Sequence, residues 1–281
     1  MIKKRTLSSG AGFTLVELLA TLIAGFGLTL VVLPALAKSR SAGAGIGCLN
    51  NQRLLTQAFL LYAAENQGYF PPNPDDGNTV PGNAWVAGLE SIAGSAATNQ
   101  NYLLDPRYSL LAPHLPPNPK IFKCPADNQP PLGSRYVRSY SMNGAVGTLP
   151  PGKAPVNGPW LDGNHGHTAN TIWYCYGKFA DLVKPAPADL FVFMDEDTDS
   201  INDSVFATIG PGPQQQLKMI DWPTTRHDYG AGIGFADGHA EIHRWADSRT
   251  EVINGNVGVA FQPNNPDIAW LANHATAPIA K

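Results

Sequence analysis

Between positions 13 and 37 the chain reads FTLVELLATLIAGFGLTLVVLPALA, a run whose only ionisable side chain is Glu17. As a helix it would be about 37 Å long, enough to cross a bilayer, so the pattern predicts a transmembrane segment at 13–37. Helical spacing returns with Leu54, Leu55, Ala58, Phe59, Leu61, Tyr62 and Glu65, which predicts a stalk helix over 38–68 with one apolar stripe. Gly43, Gly45 and Gly47 lie between the two stretches. Each costs about 1 kcal/mol against alanine in a helix interior, and a bend or frayed section is expected there. The stop is expected near Gln67 or Gly68, because Pro72, Pro74 and Gly77 follow closely.

Beyond position 77 the periodicity changes. Short apolar runs at 121–122, 171–176, 190–194 and 233–235 are separated by Gly, Pro and Asn and predict strands. The stretch 144–170 is expected to be a surface insertion. Together these patterns predict an α+β fold in which a long N-terminal transmembrane and stalk helix packs on a mainly antiparallel β-sheet domain at 69–281. Near the end, RHDYGAGIGFADGHAEIHRW predicts a hairpin at 227–245. Its expected turn is Asp237-Gly238, residues that tolerate positive φ.

Composition changes the picture little. The 281 residues are 43% hydrophobic and 15% charged, with 28 Gly and 25 Pro, which favours a turn-rich folded domain over a disordered chain. The formal net charge is −3, and it becomes more negative without Lys3, Lys4 and Arg5. Nucleic acid is therefore not an expected partner. Cys48, Cys124 and Cys175 form an odd set, so at most one internal bridge can form. Sequence does not choose among the three pairings or the unpaired state. A Cys124–Cys175 bridge would contribute on the order of 4 kcal/mol by closing a loop of about 50 residues.

Asp195, Asp197 and Asp199 place oxygens on alternate residues, a candidate Ca²⁺ loop, although the glycine and closing glutamate of an EF-hand are missing. A solvated acidic turn is the competing reading. His239, Glu241 and His243 would share one strand face and lack a fourth ligand for zinc, and His165 and His167 sit in a Gly/Asn-rich loop. Serine, histidine and aspartate fall in no catalytic arrangement, so no enzyme activity is expected.

Gly12-Phe13-Thr14-Leu15-Val16-Glu17 resembles the cleavage site of type IV prepilins and type II secretion pseudopilins. The resemblance implies that residues 1–12 are a leader, that a prepilin peptidase cuts after Gly12, and that Phe13 becomes N-methylated. It implies that Glu17 pairs with the N-terminal amine of a neighbouring pilin or pseudopilin subunit, and that Pro34 permits a kink in the helix. The stretch from Cys48 to Pro71 and the spacing of His227, Asp237 and Gly238 resemble the H-X9-DG group of pilin-like proteins, a motif of no stated chemistry. A pilin-like fold follows, with the N-terminus cytoplasmic, one pass through the bacterial inner membrane, and the domain periplasmic or in a surface filament. The function implied is a structural pseudopilin or minor pilin of a type II secretion or type IV pilus-like system. The alternative is a membrane-tethered module that binds a carbohydrate or protein through Trp85, Trp160, Trp173, Trp222 and Trp245. Exposed tryptophans would favour the alternative.

Overall fold

A computed structural model describes residues 14–75, 82–86, 98–128, 136–150 and 153–280. The chain divides into two compact units, Met1–Ala42 and Gly43–Lys281. Helix α1, Leu15–Glu65, contributes to both. In the first unit Thr14 and Glu17 form a reciprocal cap. Glu17 accepts from the Thr14 N–H at 2.9 Å and its hydroxyl at 2.8 Å, and Thr14 Oγ1 accepts from the Glu17 N–H at 3.3 Å. This capping box satisfies donors that a helix start leaves open.

Among the described residues no helix is long and apolar enough to cross a membrane. This overturns the expected transmembrane segment and, with it, the long transmembrane and stalk architecture and the single-pass inner-membrane placement. The start of the run carries Thr14, Glu17 and Thr21, whose polar groups bond locally. Only the part of α1 from Gly43 onward belongs to the folded domain.

That part carries the core stripe. Cys48, Gln52, Leu55, Thr56, Phe59 and Ala63 recur at helical spacing and are all buried. The expected fraying at 39–47 is absent and the backbone is helical throughout. The reason lies outside the helix, in close contacts that a side chain would block. A Cβ on Gly45 would lie 3.1 Å from Ile242 Cδ1, and one on Gly47 2.9 Å from Pro125 Cγ. The helix stops at Glu65, where Gln67 and Gly68 turn left-handed (φ 60° and 83°) and the Gly68 N–H donates to Ala63 O at 2.8 Å.

The main sheet has five strands: β1 (Tyr140–Asn143), β2 (Phe191–Asp195), β3 (Val205–Phe206), β5 (Gly230–Phe235) and β6 (Ala240–Arg244), in the order β3-β1-β2-β5-β6. It is mixed, because β1 and β3 run parallel while the other neighbours are antiparallel. A second, two-stranded sheet pairs β4 (Lys218–Met219) with β7 (Ala260–Phe261). Helix α2 (Asn101–Leu104) is a single turn, and helix α3 (Pro266–Ala275) closes the chain. Asn265 caps α3 by accepting from the Asp267 and Ile268 N–H groups.

Strand β5 shows how the layers form. Its alternate residues Ala231, Ile233 and Phe235 join a core with Phe191, Met194, Trp245, Ile268 and Leu271. Gly232 and Gly234 face the other way, onto α1. Cβ atoms there would lie 2.5 Å from Cys48 Sγ and 2.5 Å from Thr56 Oγ1, so the bare backbone lets the helix settle on the strand, and Gln52 Nε2 donates to Gly232 O at 2.9 Å. The sheet is thus filled by α1 on one face and α3 on the other.

Two of the expected strands are not strands. Residues 121–122 end a 3-10 helix, Pro119–Phe122, and the stretch 171–176 docks only through isolated bridges at Trp173 and Tyr176. The expected surface insertion at 144–170 is partly core, since Ala145, Val146, Val156 and Leu161 are buried.

Candidate functional site

Four buried side chains meet where α1 crosses the sheet. Cys48 Sγ lies 3.6 Å from Asp195 Oδ2, Asp195 Oδ2 3.4 Å from His227 Nε2, and His227 Nε2 3.2 Å from Cys124 Sγ. All four potential ligand atoms fall within 4.8 Å of one another. The residues come from four segments, Cys48 and Asp195 being 147 positions apart and Cys124 and His227 103 positions apart.

Local structure places each one. Cys48 sits on the core stripe of α1, next to the bare Gly232. Cys124 follows the 3-10 helix capped by Asn118, and its N–H donates to Ser139 Oγ at 3.2 Å. Asn51 of α1 pins the same loop by donating to Lys120 O and Lys123 O. Asp195 ends β2. His227 stands just before β5, where Asp228 and Tyr229 are both left-handed (φ 54° and 61°) and the His227 N–H donates to Gly230 O. Left-handed backbone at a bulky residue such as Tyr229 is uncommon and recurs at functional positions.

A second layer holds the four in place. The Tyr140 hydroxyl donates to Cys48 Sγ at 3.4 Å. Arg226 Nη2 donates to Asp195 Oδ1 at 2.8 Å, and Nη1 lies 3.8 Å from Asp127. Burial works against the Asp195 carboxylate, yet Arg226 and His227 hold it below the usual carboxylate range. Burial also opposes charge on His227, but its bonds to Asp195 and Cys124 push the imidazole up to about 9. The neighbouring Cys48 thiol lowers Cys124, while Cys124, burial and the Asp195 charge raise Cys48 well above the cysteine range.

No family model, curated protein or solved structure matches this chain. Its chemistry is therefore read from the residues in place.

The structure separates several residues grouped by sequence. All three cysteines are free thiols, and Cys124 faces Cys48 instead of Cys175, which packs apart with Ala145, Val156 and Leu161. The Cys124–Cys175 bridge is thereby corrected. The calcium trio does not converge either: Asp195 points into the tetrad, Asp197 Oδ1 accepts the Asp199 N–H, and Asp199 is exposed.

Asp237 and Gly238 do form the β5–β6 turn, but only Gly238 is left-handed (φ 99°). The Gly238 N–H donates to Phe235 O and the Phe235 N–H to His239 O, so the connection is a three-residue loop, not the expected two-residue turn. Along β6, His239 bonds to Asp237, Glu241 is exposed, and His243 stacks on Trp270 at 3.8 Å. His165 contacts Asp75, and His167 Nδ1 lies 2.7 Å from Asn157 O. Gly12 and Phe13 lie outside the described residues. Pro34 lies within α1, and its side chain is likewise outside them.

One trace of the tetrad is legible in the sequence: Cys48 falls on the apolar stripe of α1, where a core partner is to be expected.

Beside the site, Glu196 is fully buried and Ser200 Oγ donates to its Oε1 at 2.9 Å. Burial, and then the charge of Asp221, push its carboxyl well above the usual range. A carboxyl raised on folding stays neutral in the folded chain while the unfolded chain ionises, so its contribution is full at low pH and lost as pH rises towards the folded value. Glu196→Gln should therefore weaken the decline in Tm from about pH 5 to about pH 8 by roughly 2–4 °C or more, the shift that about 1 kcal/mol produces in a domain of this size. Thermal melts across that range check it, and a slope equal to wild type would show that Glu196 is ionised when folded.

Proposed function

We propose that the chain is a structural subunit of a pilin-like assembly, cut after Gly12, N-methylated at Phe13 and joined to further copies through the first turns of α1. One observation supports this most directly. In the N-terminal unit Leu15, Val16, Leu22 and Ile23 are between 62 and 80% exposed around the single acid Glu17. Large apolar side chains in such density need cover, and the same segment of neighbouring copies provides it with matching chemistry. Trp85, Trp222 and Trp245 are buried and Trp160 and Trp173 half-buried, which speaks for a structural domain over an exposed aromatic ligand-binding face.

In the single chain Glu17 serves its own helix, and its bonds from Thr14 hold its pKa below the usual value. In the assembly it is free to pair with the amine of Phe13 in the next copy. Glu17→Gln separates the two roles, because glutamine completes a capping box as glutamate does but carries no charge. The expected result is a mature chain starting at N-methylated Phe13 whose cross-linked oligomers disappear in Glu17→Gln. Oligomers equal to wild type would remove the charge from the mechanism, and an intact mass starting at Met1 would remove the processing.

A further inference from the structure

We propose that Cys48, Cys124, Asp195 and His227 form a closed structural zinc site that fastens α1 to the sheet. Zinc takes thiolate sulfur at about 2.3 Å and nitrogen or oxygen at about 2.0–2.1 Å, which sets tetrahedral ligand–ligand edges of about 3.3–3.8 Å. The edges at 3.6 and 3.4 Å fall within that range, the His227–Cys124 edge at 3.2 Å lies just below it, and all four ligand atoms lie within 4.8 Å of one another, so small shifts would complete the tetrahedron. An apolar core has no reason to bring two sulfurs, a carboxylate oxygen and an imidazole nitrogen to one point, since each loses hydration on burial.

The donor set selects the metal. Two thiolates with one imidazole and one carboxylate suit zinc, while calcium and magnesium require oxygen ligands. All four residues are buried, which fits a structural site with no position left for substrate. The surroundings supply what a metal needs around its ligands. Asp195 can bind through Oδ2 because Arg226 occupies Oδ1, and Tyr140 supports the Cys48 sulfur. Three anionic ligands would be neutralised by the dication together with the Arg226 guanidinium. Gly45 and Gly232 leave room, since a Cβ on the former would come 3.7 Å from His227 Nδ1 and one on the latter 2.5 Å from Cys48 Sγ.

This assignment is independent of assembly, because a chain that is neither cleaved nor oligomeric would still hold the metal. The test is metal analysis of the full chain purified under reducing conditions. About one zinc per chain is expected, unchanged in Cys175→Ser and reduced to background in Cys124→Ser and in His227→Ala. Those variants can misfold, so wild type stripped by a chelator and refilled with Co²⁺ provides a second measurement. Tetrahedral visible bands and a thiolate-to-cobalt charge-transfer band, both removed by added Zn²⁺, are expected. A reduced chain without zinc or a thiolate–cobalt spectrum overturns the site. So does zinc that persists in a folded Cys124→Ser, His227→Ala double variant, or a mass lower by two hydrogens that maps to a Cys48–Cys124 disulfide.

Discussion

Arg226→Met should be the most damaging single substitution in the domain, costing about 3–5 kcal/mol, as expected when one partner of a buried ion pair is removed. The Arg226 side chain is 14% exposed and its partners Asp195 and Asp127 are 0% and 1% exposed, so solvent cannot take over its role. Its Nη1 also donates to Thr198 Oγ1 at 2.7 Å and its Nη2 to Glu196 O at 2.8 Å, tying the end of β2 to the loop that carries His227. Burial opposes its charge, but Asp195 and Asp127 keep its pKa above even the ordinary arginine value. Lys123 is the internal comparison. It reaches Asp127 at 3.0 Å from a position 27% exposed, and Lys123→Met should cost no more than about 1 kcal/mol. Chemical denaturation of both variants decides the point, since equal losses would mean that the guanidinium is solvated in solution.

Gly232→Val is expected to come next, at about 3 kcal/mol, the upper part of the range for overpacking a filled interior. Even a single added carbon would lie 2.5 Å from Cys48 Sγ and 3.7 Å from Gln52 Cγ, and valine brings two more. Relief requires α1 to lift from β5, which also breaks the bond from Gln52 to Gly232 O and separates Cys48 from Asp195. Gly258, with nothing within 4 Å of an added Cβ, should accept alanine within about 1 kcal/mol of wild type in either direction. A fall in Tm of roughly 6–12 °C for Gly232→Val is expected, and a stability within error of Gly258→Ala would show that the seam between helix and strand is looser than the contacts imply.

What could be read beforehand follows from how local each feature is. The core stripe of α1 and its stop just before Gly68 depend on neighbours three or four residues apart, and β2 and β5 announced themselves as compact apolar runs. Strand β1, with the sequence Tyr-Ser-Met-Asn, has no such signal, because Asn143 and Ser141 are buried and bonded, with Asn143 Nδ2 donating to Phe191 O and Ala275 O. The run at 171–176 had strand composition but lacked a partner strand. Glycines at 43, 45 and 47 appeared to weaken the helix, and the two that matter instead admit neighbouring side chains. The tetrad was hidden for a related reason: its members share no spacing, and only the folded sheet brings them together.

The nine residues between His227 and Asp237 take on a specific meaning once β5 is seen between them. The strand acts as a ruler, with a donor side chain fixed at one end and the left-handed Gly238 at the other. Adding or deleting one residue would turn Gly232 and Gly234 away from α1 and present Ile233 or Ala231 to it, because successive residues face opposite sides. Changing the length by two would restore the faces but move His227 by about 6.6 Å at the usual strand rise, out of reach of Cys124. Divergent copies of this chain should therefore leave the length of the interval untouched and keep glycine at 230, 232 and 234, where an added Cβ would meet β6 or α1.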